Sequence, residues 1–538
     1  MRIGIDLDNT IIFYEKVFRE IAKTSGLLPE DWSGGKEQLR DVVRNKPNGE
    51  HLWQQLQGRV YSEGIQKAEA FPGVLRFIWR AKHKGHQIFV VSHKTESPHH
   101  DATINLREPA IKWLEQQNLY SRGGGALLDG VYFSSTQKGK IEKLNELELD
   151  VIVDDLIEII VHPLLNNKIN KIHFGKEPFL SWAVIENHVL GAIDENDCSN
   201  FITNASLGTA LSCQPYNSGG NSSVWKVEIE NASPLTIKFY HNDLARSDRR
   251  IVEKFSLERM RQHGINDIPC IVTTNKNVEA SVFKHIEAHV VCELDAAKIG
   301  AILEFIQKLV ELKQSSIWNF PLASAACLSG EDIVRQVKSR LLSFQQAREI
   351  NPELNAFLIE EFSPFFCALI KWTKDAWPKL SEFSKPLDIR KQILTPSDLG
   401  AHNMLENGKG EIYFIDFEYF GLDDPAKTVS DFLLQPKNKI NMELGRIWVS
   451  KMTDLLSESD PEFPERLAAS WPLYGLCWCL IMLNEYRSID WYRRKQSKGY
   501  SDSEYEKVKT QQLNKATDLL CFIKSKYEEF PYGKTRVN

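Results

Sequence analysis

The chain has 538 residues and a mass of 61.7 kDa, too long for one ordinary hydrophobic core, so two or three domains are expected. Its 42% hydrophobic and 26% charged residues are those of a globular protein. With 66 basic against 72 acidic residues, a net charge of −6 and a pI near 6.2, there is no electrostatic case for nucleic acid as a general partner.

The N-terminus passes directly into a strand-like "IGIDL" with no secretory pattern. The longest strongly apolar stretch, Leu473 to Leu483, is shorter than a bilayer span and reads as a buried helix. Nine scattered cysteines read as free thiols, and Cys477 and Cys479 as core packing. A cytoplasmic protein with no membrane partner is expected. Its oligomeric state is open.

Short apolar runs then alternate with helical patterns: Ile3 to Leu7, Gln87 to Val91, Val131 to Phe133, Val151 to Val153 and Lys171 to Phe174, separated by segments such as Gly73 to Gly85 and Lys140 to Asp150. That alternation predicts an α/β architecture with a parallel sheet, whose ligands sit outside the carboxyl ends of the strands. At those ends stand Asp6 and Asp8, then Ser92, then Asp154 and Asp155. One carboxylate can attack phosphorus, a second two residues on can protonate the leaving oxygen, and a hydroxyl and an ammonium can neutralise the phosphoryl oxygens. Further carboxylates suit Mg²⁺.

"DLDNT", Ser92, a lysine and an acidic pair, in that order, resemble the haloacid dehalogenase (HAD) superfamily, whose motifs run DxDxT, Ser/Thr, Lys and a terminal acidic pair. The resemblance implies a Rossmannoid phosphatase domain over residues 1–193, with Asp6 as nucleophile, Asp8 as acid/base, Ser92 as the phosphate hydroxyl, and metal held by Asp6, Asp8, Asp154 and Asp155. Lys140 suits the lysine motif best, with Lys138 as the alternative. Residues 14–71 would form a mainly helical cap in which Trp32, Trp53 and His51 are candidates to touch substrate, the two Trp reading rather as packing. The histidine-rich "SHKTESPHHD" reads as a cleft-rim loop, and Gly123 to Gly125, lacking a following Lys-Ser/Thr, as a flexible turn.

Beyond Ile193 the polar "DENDCSN" reads as a linker over 194–200. "YNSGGNSSVWKVEI" places Gly219, Gly220 and Ser222 inside an alternating strand pattern, where backbone N–H groups can approach a phosphate. Lys238 follows in "LTIKFY", Glu253 in a helical segment, Asp398 and Asn403 in "TPSDLGAHNML", and Asp416 after "EIYFI". That series resembles the aminoglycoside phosphotransferase and choline kinase family, whose loop usually reads like HGDLHPGN and whose second acidic motif reads like IDFE. Here Pro396 and Ser397 stand for the usual His-Gly, and Gly400 for the next His.

The resemblance implies a protein-kinase-like α+β domain, with an N-lobe over 201–289 and a large helical lobe over 290–538. Lys238 would orient the phosphates of ATP, or another nucleoside triphosphate, and be held by Glu253. Asp398 would be the base, with Asn403 and Asp416 on Mg²⁺. Amphipathic runs at 295–312 and 354–377 fit that lobe, and the aromatic and basic stretch Asn484 to Tyr500 reads as a solvated helix.

Together these readings predict a bifunctional enzyme acting on small hydroxylated or phosphorylated metabolites, such as sugars, polyols or amino alcohols, as in the supply of surface polysaccharide precursors. A regulatory protein with one active domain and a nucleic-acid end-processing enzyme are the alternatives. The acidic balance opposes the second.

Overall fold

The structure, a computed structural model, describes residues 1–98, 101–216, 222–242, 244, 248–315, 320–487 and 501–533. Its first half comprises β1 (Arg2–Ile5), β2 (Ile12–Phe13), α1 (Glu15–Thr24), α2 (Lys36–Arg44), α3 (Gly49–Tyr61), β3 (Glu69–Ala70), α4 (Val74–His83), β4 (Gln87–His93), α5 (Arg107–Gln116), β5 (Gly130–Ser134), α6 (Gln137–Glu146), β6 (Val151–Asp154), α7 (Ile157–Ile160), β7 (Asn170–His173), α8 (Trp182–Leu190) and α9 (Glu195–Asn204).

Five of these strands form a parallel sheet in the order β5-β4-β1-β6-β7. Consecutive residues Ile3, Gly4 and Ile5 are all buried, as expected of a strand covered on both faces. Helices α1 to α3 are inserted between β2 and β3, which pair antiparallel as a two-stranded stem. Within this cap Phe18 stacks on Trp53 at 5.3 Å and Tyr61 meets Tyr14 edge-on at 5.0 Å, so Trp53 packs as expected.

The stretch expected as a linker is instead the start of α9. Asp194 accepts from the Asp197 N–H, the Asp197 side chain accepts from the Asp194 N–H, and Cys198, Phe201 and Ile202 are buried. The capping box outweighs the polar composition.

The second half opens with β8 (Ala210–Tyr216), β9 (Ser222–Ile229), β10 (Leu235–Tyr240), α10 (Arg249–Gln262), β11 (Ile271–Asn275) and β12 (Ala280–Lys284), giving an antiparallel sheet in the order β11-β12-β10-β9-β8. Next come β13 (His289–Val290), α11 (Ala296–Ser315), α12 (Gly330–Leu342), α13 (Gln345–Ile350), α14 (Pro352–Ala356) and α15 (Ser363–Ala376). Buried Ile299, Ile302, Phe305, Ile306, Leu309 and Leu312 give α11 the expected single apolar face. The run 354–377 is helical throughout but widens to a π-turn at Phe357–Phe362, just before Pro364, which has no N–H to donate.

Four short strands follow, β14 (Ile393–Thr395), β15 (Met404–Glu406), β16 (Ile412–Phe414) and β17 (Gly421–Asp423), then α16 (Pro425–Leu434), α17 (Met442–Leu456), α18 (Phe463–Met482) and α19 (Asp502–Lys526). The apolar segment Phe463–Tyr486 is long enough to cross a membrane by composition, yet its most apolar window is 72% buried within the lobe. Of the aromatic and basic stretch, residues 488–500 lie outside the described residues.

Candidate active sites

Strand register assembles the first site. Ile5 pairs with Val90 of β4 and Val153 of β6, and the Asp6 N–H donates to the Val153 carbonyl at 2.9 Å, so Asp6, Ser92 and Asp154 reach the same sheet edge. Lys140, in the first turn of α6, is fully buried with Nζ 2.5 Å from Asp6 Oδ1 and 2.6 Å from Asp154 Oδ2. Lys138 is exposed and faces Glu142 at 3.8 Å, so Lys140 is the lysine that reaches the cluster. Ser92 is buried at the end of β4.

Among the described residues, Asp6, Asp154 and Asp155 bring one carboxylate oxygen each within 4.8 Å of one another. Burial pushes the Asp6 carboxyl up to about 8, Lys140 opposing and the neighbouring carboxylates adding, and burial pushes Asp155 up to about 6. Two buried acids sharing one ammonium, with the half-buried Asp155 beside them, make an all-oxygen donor set that fits Mg²⁺. Asp8 departs from its expected place among the metal carboxylates. Its Oδ1 accepts from Tyr14 Oη at 2.6 Å and its Oδ2 pairs with Lys94 at 2.7 Å, so its carboxylate is taken up by these two side chains.

Three residues in this site carry no recognisable spacing signal. Tyr14 opens the cap. Lys94, buried two positions beyond Ser92, lies over the Tyr61 ring at 4.9 Å. Lys36, the first residue of α2, donates to Asn9 Oδ1 at 2.8 Å and sits 4.8 Å over Phe18. Burial draws the Lys36 pKa down while Asp8 and Asp155 hold it up. Within the histidine-rich segment Ser92 and Lys94 are the buried residues that stand at the site, and residues 99–100 lie outside the described ones.

In the second site Lys238, buried on β10, has Nζ 2.9 Å from Glu253 Oε2, 2.6 Å from Asp416 Oδ1 and 3.4 Å from Glu418 Oε2. Burial works to lower its pKa, but these carboxylates raise it well above the usual lysine range. Glu253 is fixed in turn by Tyr240 Oη at 2.6 Å and the Phe417 N–H at 3.0 Å. The β15–β16 hairpin pairs Met404 with Phe414, and the Ile415 N–H donates to the Asn403 carbonyl at 2.9 Å, so the residues just outside that rung, Asn403 and Asp416, are carried together. Asn403 Nδ2 donates to the Asp398 carbonyl at 3.0 Å. An amide oxygen and a carboxylate are donor types that suit Mg²⁺.

Asp398 is held at both oxygens, by Gln435 Nε2 at 3.1 Å and His402 Nε2 at 3.2 Å. Burial alone would raise its pKa, but His402, Lys437 and Gln435 keep it below the ordinary carboxylate value. His402 and Gln435 are further residues that the sequence reading passes over. Ser222 begins β9, paired with Tyr240, whereas Gly219 and Gly220 lie outside the described residues.

No family model matches the chain, and no curated protein matches it. Among solved structures, it is similar to choline kinase LicA from Streptococcus pneumoniae, at 16% identity and a TM-score of 0.39 over 60% of this chain and 98% of that one. It is also similar to spectinomycin phosphotransferase APH(9)-Ia, crystallised with ADP and spectinomycin, at 12% identity and a TM-score of 0.39 over 62% of this chain and 99% of that one. A third is a Plasmodium vivax ethanolamine kinase, at 12% identity and a TM-score of 0.42 over 61% of this chain and 89% of that one.

Proposed function

We propose that the chain is a two-site phosphoryl-transfer enzyme, with a HAD-type phosphatase in residues 1–193 and an aminoglycoside phosphotransferase-like kinase in the remainder. The observation that carries the reading is a recurrence: in each half one buried lysine is braced between carboxylates from separate elements, Lys140 by Asp6 and Asp154, Lys238 by Glu253 and Asp416. Set beside further acids, ammonium groups of this kind are placed to stabilise phosphoryl oxygens.

In the first half Asp6 attacks the phosphorus of a phosphomonoester as the bond to the alcohol oxygen breaks, and Asp8 gives that oxygen its proton. Asp8 then takes a proton from the water that attacks the aspartyl-phosphate, releasing phosphate and restoring Asp6. Lys140 and Ser92 supply positive charge and a hydrogen bond to the phosphoryl oxygens. In the second half Asp398 takes the proton of an acceptor hydroxyl as its oxygen bonds to the γ-phosphorus of a nucleoside triphosphate and the diphosphate leaves, while Lys238 holds the phosphates. Mg²⁺, held by Asp6, Asp154 and Asp155 in one site and by Asn403 and Asp416 in the other, would offset charge on the phosphates.

The acceptor class is a small hydroxylated metabolite, a sugar, polyol or amino alcohol, and the two sites act on different positions or different metabolites, since opposing reactions on one bond would only consume nucleotide. The test compares wild type, Asp6→Asn and Asp398→Asn, for phosphate release from phosphometabolites and for ATP-dependent phosphorylation of hydroxyl compounds. Each substitution is expected to abolish its own activity and spare the other. One compound serving as both kinase product and best phosphatase substrate would overturn the two-position reading.

A further inference from the structure

We propose that the phosphatase half takes a phosphomonoester whose alcohol portion itself carries an anionic group, a second phosphate or a carboxylate, and that Lys36 binds that group. The proposal rests on the phosphatase reading of residues 1–193 and names its substrate class.

The charges of the site divide into two sides. On the Asp6 side, Lys140 is committed to Asp6 and Asp154, at 2.5 and 2.6 Å. On the Asp8 side lie two further ammonium groups. Lys94 Nζ is 2.7 Å from Asp8 Oδ2 and only 3% of the lysine side chain is exposed, whereas Lys36 Nζ is 2.8 Å from the neutral Asn9 amide oxygen. Arg40, one turn along α2, adds positive charge near Lys36. Aromatic faces surround both ammoniums, Tyr61 under Lys94 and Phe18 under Lys36.

The proton that Asp8 delivers goes to the leaving oxygen, so the alcohol portion of the substrate must lie on the Asp8 side. Lys94 is answered by Asp8 at 2.7 Å, whereas Lys36, on the cap beside that pair, has only the neutral Asn9 amide oxygen as its hydrogen-bond partner among the described residues. An ammonium held over an aromatic ring with only a neutral amide oxygen for a partner is costly unless an anion meets it. A neutral sugar or polyol offers hydroxyls, which pair weakly with ammonium; a second phosphate or a carboxylate completes the balance. The cap supplies Lys36 on α2, and the stem formed by β2 and β3 lets it approach the alcohol portion while the sheet residues hold the phosphate.

The test uses full-length protein with Mg²⁺ and two matched substrate pairs: glucose 1,6-bisphosphate against glucose 6-phosphate, and 3-phosphoglycerate against glycerol 3-phosphate. In at least one pair the doubly anionic member should be favoured in kcat/KM by about tenfold, the worth of one charge-assisted hydrogen bond. The responding pair tells phosphate from carboxylate. Lys36→Met should remove most of that ratio and Lys36→Arg should keep it, which a merely structural lysine would not do. Equal kcat/KM within both pairs, or a ratio unmoved in Lys36→Met, overturns the proposal.

Calorimetry on Asp6→Asn, with the same ligands and with Lys36→Met added, separates ligand class from turnover. A binding preference lost with Lys36 sustains the anionic class even if wild type hydrolyses none of the four, in which case the phosphatase reading alone fails. Binding without preference, or no binding, overturns the proposal.

Discussion

At Asp398 the deciding contact comes from a residue four positions on. The His402 ring lies so close to Gly400 that a Cβ built there would sit 2.5 Å from its Cε1 and Nδ1. His402 Nδ1 is buried without a hydrogen-bond partner, which assigns the ring proton to Nε2, the nitrogen 3.2 Å from Asp398 Oδ2. Gly400 is thus the residue that makes room for the histidine orienting the base. Gly400→Ala is expected to push the ring off Asp398 and lower kinase kcat on the order of tenfold with the nucleotide KM little changed, because a small misplacement of a base slows chemistry more than binding. His402→Gln, which restores an N–H donor, should retain more activity than His402→Ala. A wild-type rate in Gly400→Ala with the ring displaced would refute the role. From the sequence Gly400 looks like a missing histidine; that another stands two residues later and curls back onto it is visible only once the 3₁₀ turn Ala401–Asn403 is folded.

Elements were legible where their signal is local. The sheet strands and the acids at their ends follow from apolar runs closed by Asp or Ser, and Lys140 from its place at a helix start. Lys36 was not legible, since it meets Asn9 from 27 residues away, and Gln435 meets Asp398 from 37 residues away. α9 reads as a linker from its polar composition, although its capping acids stand three residues apart.

The junction of β17 and α16 shows what such hidden burial does. Asp424 caps α16 and pairs with Arg466 of α18 at 2.8 Å, while Asp423, fully buried beside it, accepts from the Cys327 and Asp424 N–H groups. Burial pushes Asp423 up to about 7, with Lys427 opposing. Between roughly pH 4 and that value the folded protein holds a proton that the unfolded chain has released, so this group's contribution is fully present below the ordinary carboxylate range and is lost as pH rises toward 7. Asp423→Asn, which keeps the accepting oxygen but cannot ionise, should therefore gain stability relative to wild type between pH 5 and pH 8. Urea midpoints of the two proteins that shift in parallel across that range would refute the assignment.

Across the whole molecule the two halves share one boundary of unusual chemistry. Arg76 of α4 is fully buried, bonded to Glu186 of α8 at 2.7 Å, to the Tyr240 carbonyl of β10 at 2.5 Å and to Glu279 at 3.4 Å, while the Gly73 N–H donates to Glu279 at 2.8 Å. Arg80, one turn on, pairs with Asp197 of α9 at 2.7 Å, and Trp79 between them packs into the cluster of Phe201, Trp225, Ile237 and Phe239 under the antiparallel sheet. One helix of the parallel-sheet half therefore closes the core of the other, and Tyr240, whose carbonyl takes Arg76, also fixes Glu253 through its hydroxyl.

A buried guanidinium satisfied by groups from both halves makes their stabilities interdependent, because removing it takes the cation from Glu279 and a donor from the Tyr240 carbonyl and leaves Glu186 with Arg80 alone at 3.3 Å, a loss of ~3–5 kcal/mol where one partner of a buried pair is deleted. Wild type is expected to unfold in one calorimetric transition. Arg76→Met should split it in two, with kinase activity declining at the lower midpoint and phosphate release surviving nearer the higher one. Two transitions already present in wild type, or a single one in Arg76→Met, would show that the halves fold independently of this contact and that the buried charges serve only local packing.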